Sequence, residues 1–476
     1  MQGGRSDNSV LGSWGGKFDV RASSEGESSG YESEVEITSR ISLGYTFDAV
    51  LHSLRTFFAV SISLPVAWMC LHPTIGSFRA RKFRMVDKGT KTVVWVQKKL
   101  RSRLGDYYFG FFSFCAEEEF YLLLLPFLIW NVDHILGRRV TLIVCIGLVL
   151  GNTMKDVFGL PRPPSPPVWR PAHQEAIDST NLQDFGFPST HAMNAVSNSA
   201  FTFLYLTSTP STFNVQDILS DRKNALMFAF VILYISSLCL SRLYLGAHTP
   251  TDLRGGLSLG VILTATYWAS SEVIDSYYLS TPNLLLKLIF TGMITLLLMP
   301  QPRPVTPTFS QNALLCGLIT GCCYGSRQYV DLKSISFHGN AIITGDGMTF
   351  SLPEYVPVDL VRSIFLAWNP YLRTFIRTIF GYIVVLLLRV VAKSVSTMIL
   401  SCVGISVKPH IDRQMSRQRR RKKLRVVRLF TRDIDIVGSA IVKMFTYSVL
   451  AWAITFFVPF LDCVLGLLEY EQNQLI

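Results

Sequence analysis

Three short stretches of this chain hold residue types that could do chemistry together. Lys155 and Arg162 lie in Lys-Asp-Val-Phe-Gly-Leu-Pro-Arg-Pro, and His191 ends Pro-Ser-Thr-His. Arg242, His248 and Asp252 lie in Ser-Arg-Leu-Tyr-Leu-Gly-Ala-His-Thr-Pro-Thr-Asp. Each stretch sits at the end of an apolar run. Three fixed cations, two imidazoles and one carboxylate suit the hydrolysis of a phosphate ester. That reaction holds a dianion, attacks phosphorus in line and protonates the departing oxygen. Its transition state spreads charge over the equatorial oxygens, so catalysis is mostly positioning and electrostatics. Lys, Arg and helix N-termini can meet that charge without a metal or cofactor.

Each stretch alone also has an ordinary explanation. Lys155 and Arg162 could simply snorkel at the end of a membrane span, although Pro161 and Pro163 restrict Arg162 and could turn both cations to one point. Ser189 or Thr190 can cap a helix whose free N–H groups bind an anion. His191 would then sit in the first turn as a proton donor, or as a plain interface residue. Thr249 and Pro250 look like the N-cap and first position of another helix. Asp252, four residues beyond His248, can accept its Nδ1–H and fix its tautomer, or form a purely structural pair.

The elements that position these residues are membrane helices. Of 476 residues, 49% are hydrophobic and only 16% charged, against about a quarter charged in soluble domains. The fold class expected is an all-α polytopic membrane protein of about eight to nine spans. The spans fall near 108–132, 139–158, 190–207, 225–245, 253–272, 283–300, 311–326, 374–401 and 437–467, the last long for one crossing. Residues 1–46 are rich in Ser, Gly and Glu and read as a disordered tail. Residues 47–107 read as an interfacial or marginal membrane segment followed by a basic juxtamembrane stretch. Residues 108–300 form the catalytic core, and 301–476 add further transmembrane helices around a basic loop near 413–432. Pro302, Pro304 and Pro307 mark a linker, and 327–373 reads as a loop with a short interfacial helix around Val358 to Trp368. The N-terminus shows no apolar signal region.

The net charge of +12 fits basic loops beside anionic lipid, and nucleic-acid binding is not expected. Arg419-Arg420-Arg421-Lys422-Lys423 could touch anionic headgroups, or simply set topology. Nine cysteines show no metal-ligand spacing and read as small buried hydrophobes. Gly321-Cys-Cys-Tyr-Gly lacks the Lys and strand context of a nucleotide loop. Glu117-Glu118-Glu119 beside an apolar run is unusual. It reads either as recognition of a lipid headgroup bearing an ammonium or, preferred, as an interfacial cluster just before the span.

In order and spacing the three stretches resemble the type 2 phosphatidic-acid-phosphatase superfamily, with its pattern Lys-x6-Arg-Pro, Pro-Ser-Gly-His and Ser-Arg-x5-His-x3-Asp. Thr190 replaces the usual Gly, which could crowd the pocket. The finer resemblance is to the sphingosine-1-phosphate (long-chain base phosphate) phosphatases. It is carried by the Pro-rich extension after Arg162, by Phe187-Pro-Ser-Thr-His-Ala-Met-Asn-Ala, by Cys239-Leu-Ser-Arg-Leu-Tyr-Leu-Gly-Ala-His, by Glu118-Glu119-Phe120-Tyr121 and by Trp130-Asn131-Val132-Asp133. It covers roughly residues 105–330.

The resemblance implies a helical bundle core and a metal-independent phosphatase. In it His248 is the nucleophile and forms a phosphohistidine, Asp252 orients it, and His191 protonates the leaving oxygen. Lys155, Arg162, Ser189, Thr190 and Arg242 hold the phosphate. It further implies a multi-pass protein of the endoplasmic-reticulum membrane with a lumenal site and a lipid phosphate substrate. A broader phosphatidic-acid or other phosphate-ester phosphatase, or a non-catalytic lipid-binding protein, are the competing readings. The nine-span count would leave the basic loop lumenal too, against the positive-inside tendency.

Overall fold

The computed structural model describes residues 72–171, 185–208, 214, 216, 220–300, 306–332, 336–338, 341–343, 349–351, 369–402 and 434–465. The tail 1–46, the segment 47–71, the helix expected at 358–368 and the basic run 413–432 lie outside them. The helices, in chain order, are α1 (His72–Leu100), α2 (Arg103–Phe114), α3 (Glu118–Asn131), α4 (His134–Phe158), α5 (Thr190–Thr207), α6 (Arg222–Tyr244), α7 (Pro250–Ser280), α8 (Leu284–Leu298), α9 (Thr308–Leu332), α10 (Pro370–Cys402), α11 (Ile434–Trp452) and α12 (Val458–Leu465). A π-helical turn, Ala453–Phe457, joins the last two.

The fold is helical and multi-pass. Five segments among the described residues are long and apolar enough to cross a membrane: α4, α6, α7, α10 and Val437–Leu465. The structure corrects the single span expected over 108–132. The chain there breaks into α2 and α3, with Glu117 between them in extended backbone. At 1.5 Å per residue, the 12 residues of α2 and 14 of α3 reach only about 18 and 21 Å, short of a ~30 Å hydrocarbon core. The long final run resolves into α11, the π turn and α12. Trp130 Nε1 donates to the carbonyl of Ile454 (2.8 Å) and His134 Nε2 to that of Thr455 (3.0 Å), so side chains serve the carbonyls of the widened turn.

The interval 327–373 is not all loop. Helix α9 continues to Leu332, and a three-stranded antiparallel sheet follows, ordered β1 (Ser336–His338), β2 (Ala341–Ile343), β3 (Thr349–Ser351). His338 pairs with Ala341.

Helix α4 is the central post. Asp133 caps it, its carboxylate accepting from the backbone N–H of Ile135 and Leu136, and Gly159 ends it at φ 53°. That left-handed φ suits a residue without Cβ. Near its start, Arg138 and Arg139 both donate to Asp275 Oδ2 on α7 (2.7 and 2.9 Å), and Tyr278 donates to Asp275 Oδ1 (2.7 Å). Charges this deep in an apolar bundle persist only when paired. Helix α5 lies against α7 because Gly256 and Gly260 admit the carbonyls of Ser189 and Met193. Helix α9 meets α11 the same way: Gly317 faces the carbonyl of Met444 and Gly321 that of Ser448. This is the small-residue packing of membrane helices, and it accounts for Gly321 and Gly325 better than any nucleotide loop.

The C-terminal third is fastened to the core beside Lys155. Thr306 and Thr308 both donate to the Asp156 carboxylate, and Asn152 Nδ2 donates to Asn312 Oδ1 (2.9 Å). So α9 starts at the end of α4 that carries Lys155, and α11 runs parallel to α9. Helix α10 starts at the opposite end, where Arg377 and Thr378 meet Asn131, and Tyr382 higher up donates to the Leu123 carbonyl. Helix α10 therefore ends, and α11 begins, at the Lys155 face. N-glycosylation acceptors inserted at residue 175 and at residue 420 should share one fate in microsomes, both modified or both unmodified. Opposite outcomes would contradict these helix directions.

Candidate active site

The three stretches converge at one end of the bundle, each at a helix terminus. Lys155 is buried in the last turn of α4. Arg162 follows two residues after Leu160, where Gly186 N–H donates to the Leu160 carbonyl (2.8 Å) and Pro161 bridges to Phe185. Ser189 is the N-cap of α5, its Oγ accepting from Ala192 N–H, and Thr190 and His191 fill the first turn. Arg242 ends α6, fully buried. The Thr249–Asp252 capping box and Pro250 in the first turn open α7.

Backbone bonds lock these termini together. Ser189 N–H donates to the Asp252 carbonyl (3.1 Å), joining the second and third stretches. Arg170, beyond the Pro-rich extension, donates to the carbonyls of Pro163 (2.6 Å) and Gly246 (3.4 Å), joining the first and third. Gln97 on α1 donates to the carbonyls of Trp169 (2.8 Å) and Tyr244 (2.9 Å). The basic juxtamembrane stretch is thus a structural wall of the site. Neither Gln97 nor Arg170 stands out in the sequence.

His248 is fully buried. Its Nδ1 bonds the Gly186 carbonyl at 2.9 Å, so Nδ1 carries the proton and Nε2 the lone pair. Among the described residues that Nε2 has no hydrogen-bond partner. Burial, then the charges of Arg162, Arg242, Lys155 and His191, push this imidazole well below its ordinary 6.5, so it is neutral at pH 7. Asp252 is not the acceptor expected for Nδ1–H. Its Oδ2 lies 3.9 Å away and instead accepts from Thr249 N–H at 2.7 Å. The carboxylate closes the capping box, and the tautomer is fixed by a carbonyl from the second stretch.

The His191 and His248 rings are 6.4 Å apart, too far to bond each other and wide enough to flank one phosphoryl group. Lys155, Arg162, Thr190, His191 and Arg242 all line one cavity of about 950 Å³. Ser189, His248 and Asp252 lie behind that wall, almost wholly buried. The cavity follows one face of α4, along Thr141, Val144, Cys145, Leu148, Asn152 and Lys155. From Thr141 to Lys155 that is about 21 Å at 1.5 Å per residue, more than the depth of one leaflet's hydrocarbon. The far wall comes from α9 (Leu314, Leu315, Leu318) and from Ala451 and Ile454.

Two further residues belong to the site. Ser113 Oγ accepts from Arg242 Nη1 at 2.7 Å, and nothing in the sequence marked it. Glu117 Oε1 lies 3.4 Å from His191 Nε2 and 3.5 Å from Arg242 Nη1. Burial pushes the Glu117 carboxyl up, but the nearby His191 and the charges of Arg242 and Arg162 outweigh it and hold it at about 2. Glu117, Glu118 and Glu119 all line the cavity, so the triplet is not merely an interfacial cluster ahead of a span. Thr190 does not crowd the pocket. Its Cγ2 seats over Gly151 on α4, where an added Cβ would come within 2.6 Å of it.

Residues 137–274 match the model of the PAP2 superfamily. The matched segment holds Lys155, Arg162, His191, Arg242, His248 and Asp252, while Glu117, α9 and α11 lie outside it. The chain is 34% identical over 186 residues to sphingosine-1-phosphate phosphatase 2 of Homo sapiens, covering 38% of this chain and 43% of that one. It is 30% identical over 245 residues to lipid phosphate phosphatase delta of Arabidopsis thaliana, covering 50% and 56%. The chain thus spans about half the length of these curated relatives. A solved PAP2-type phosphatidylglycerolphosphate phosphatase from Bacillus subtilis aligns over 45% of this chain and 99% of its own, with 19% identity and a TM-score of 0.32.

The fit of Thr190 over Gly151 makes a reciprocal prediction. Gly151→Ala should push the start of α5 off α4, costing about 1–3 kcal/mol of stability as overpacking does. Adding Thr190→Gly should restore most of that loss in thermal unfolding of the detergent-solubilised protein. Additive losses in the double variant would rule the contact out.

Proposed function

We propose that this protein is a metal-independent lipid phosphate phosphatase that dephosphorylates long-chain base 1-phosphates such as sphingosine 1-phosphate. One observation carries the reading: His191 and three cations line the polar end of a cavity, with His248 directly behind them, and the remaining walls are largely apolar. Such a cavity suits a phosphate headgroup with a long alkyl chain. The similarity to phosphatases named for sphingosine 1-phosphate supports the same substrate class.

The geometry supports the following reaction. Lys155, Arg162 and Arg242 hold the dianion, with the first-turn N–H groups behind Ser189 and Thr190 adding the positive end of α5. The His248 Nε2 lone pair attacks phosphorus, and the Nδ1–H bond to Gly186 keeps that lone pair on Nε2. As the N–P bond forms, the ester P–O bond breaks, and a proton from His191 Nε2 goes to the leaving alkoxide. Water then attacks the phosphohistidine, giving its proton to His191. The P–N bond breaks, the electron pair returns to Nε2, and phosphate leaves. Asp252 sets the start of α7 and places a negative charge 3.9 Å from Nδ1, which favours the positive ring of the intermediate.

The protein would reside in the endoplasmic-reticulum membrane with this site on the lumenal face, as its resemblance to the sphingosine-1-phosphate phosphatases implies. A phosphatidate or other phosphate-ester phosphatase is the alternative within the same chemistry. His248→Ala should lower phosphate release from sphingosine 1-phosphate by about 10³-fold or more while the protein stays inserted. EDTA should leave the wild-type rate unchanged. Full activity in His248→Ala would sink the mechanism, and a strict Mg²⁺ requirement would sink its metal independence.

A further inference from the structure

Glu117 stands where a helix N-cap belongs, yet its side chain makes no cap hydrogen bond. The carboxylate turns instead into the cavity, against His191 Nε2 and Arg242 Nη1. It lies outside the segment matched by the PAP2 model, so the core chemistry of that domain does not assign it a role. Its position puts a negative charge beside the two groups that would meet a substrate's leaving oxygen and its phosphate. Against a phosphate dianion alone that placement is unfavourable, because like charges at this range repel.

We propose that Glu117 is the specificity-determining residue of the site, and that its carboxylate receives the ammonium group carried beside the phosphate by a long-chain base 1-phosphate. The inference rests on the phosphatase reading and names what selects the substrate within it. In such a lipid the ammonium sits on the carbon next to the one that bears the ester oxygen. A carboxylate 3.4 Å from the proton donor to that oxygen is therefore within reach of the ammonium.

Charge exchange makes the fit selective. An arriving phosphate competes with Glu117 for Arg242, and the substrate's own ammonium replaces the partner that Glu117 gives up. Phosphatidate carries an uncharged acyl ester at the same place. It brings the same dianion but no replacement cation, leaving the Glu117 carboxylate facing a phosphate that has taken its Arg242 partner. A site built to bind a polar group rejects the analogue lacking it more strongly than apolar contacts can. Wild type should therefore prefer a free-amine substrate over one in which only the amine charge is removed.

The test uses full-length protein in mixed micelles and three substrates: sphinganine 1-phosphate, its N-acetyl derivative and phosphatidate. The expected result is that Glu117→Gln lowers kcat/KM for sphinganine 1-phosphate at least tenfold. The loss on the two substrates without an ammonium should be smaller, so the preference for the amine falls. Glu117→Asp, which keeps the charge, should keep the preference even where its overall rate falls. An equal loss on all three substrates, or an unchanged amine preference in Glu117→Gln, would overturn the assignment. Wild-type phosphate release from any of the three upholds the phosphatase reading by itself, so a failure of the Glu117 assignment stays distinct from a failure of that reading. No release from all three would overturn both.

Discussion

The hydrogen bond from His248 Nδ1–H to the Gly186 carbonyl, 2.9 Å long, is the contact on which the rest of the site depends. It is made between stretches 62 residues apart, so the histidine is set only when α5 and α7 have packed. It places the lone pair on Nε2 without spending a charge. Gly186 is squeezed on its other sides: an added Cβ would lie 3.2 Å from Asp252 Oδ2 and 3.3 Å from the Pro161 carbonyl. One residue therefore touches all three stretches. The Gly256 and Gly260 contacts that bring α7 onto α5, and the Arg138–Asp275 cluster at the far end of α4, are the packing that makes this bond available.

Around that bond the problem is one of charge. Three cations in a buried site repel each other and, together with burial itself, hold His248 neutral. Glu117 offsets part of that excess from a segment between two short helices. The apolar remainder of the cavity is completed by α9 and α11, which lie outside the PAP2 segment. The C-terminal third is thus part of the same cavity, tied in through Asp156 immediately beside Lys155. The proposed lipid phosphate would need both ends, a cationic head and a long apolar wall, and separate parts of the chain build them.

Much of this was legible in the sequence. Thr249, Pro250 and Asp252 read as a helix start, and they form one because capping is settled within three or four residues. The helical, multi-pass character followed from composition. The partner of His248 was not legible, since Asp252 lies at the right spacing but its Oδ2 is captured by the nearer Thr249 N–H. A carbonyl acceptor also leaves no trace in residue types. The break at Glu117 was hidden because apolar residues on both sides of the glutamates read as one continuous run. The fit of Thr190 into Gly151 was invisible for a similar reason: it joins two helices whose packing no local pattern reports. The small sheet after α9 carried its Gly-Asn and Gly-Asp-Gly turn signals, but its strands of three residues are too short for alternation to stand out.

The central claim is that His248 Nε2 becomes bonded to phosphorus during turnover. Rapid quench of the wild-type protein with phosphorus-labelled substrate, followed by peptide mapping, tests it directly. An acid-labile, base-stable phosphoramidate should appear on the peptide containing His248. Label that never appears on that peptide, while phosphate is still released, would contradict this.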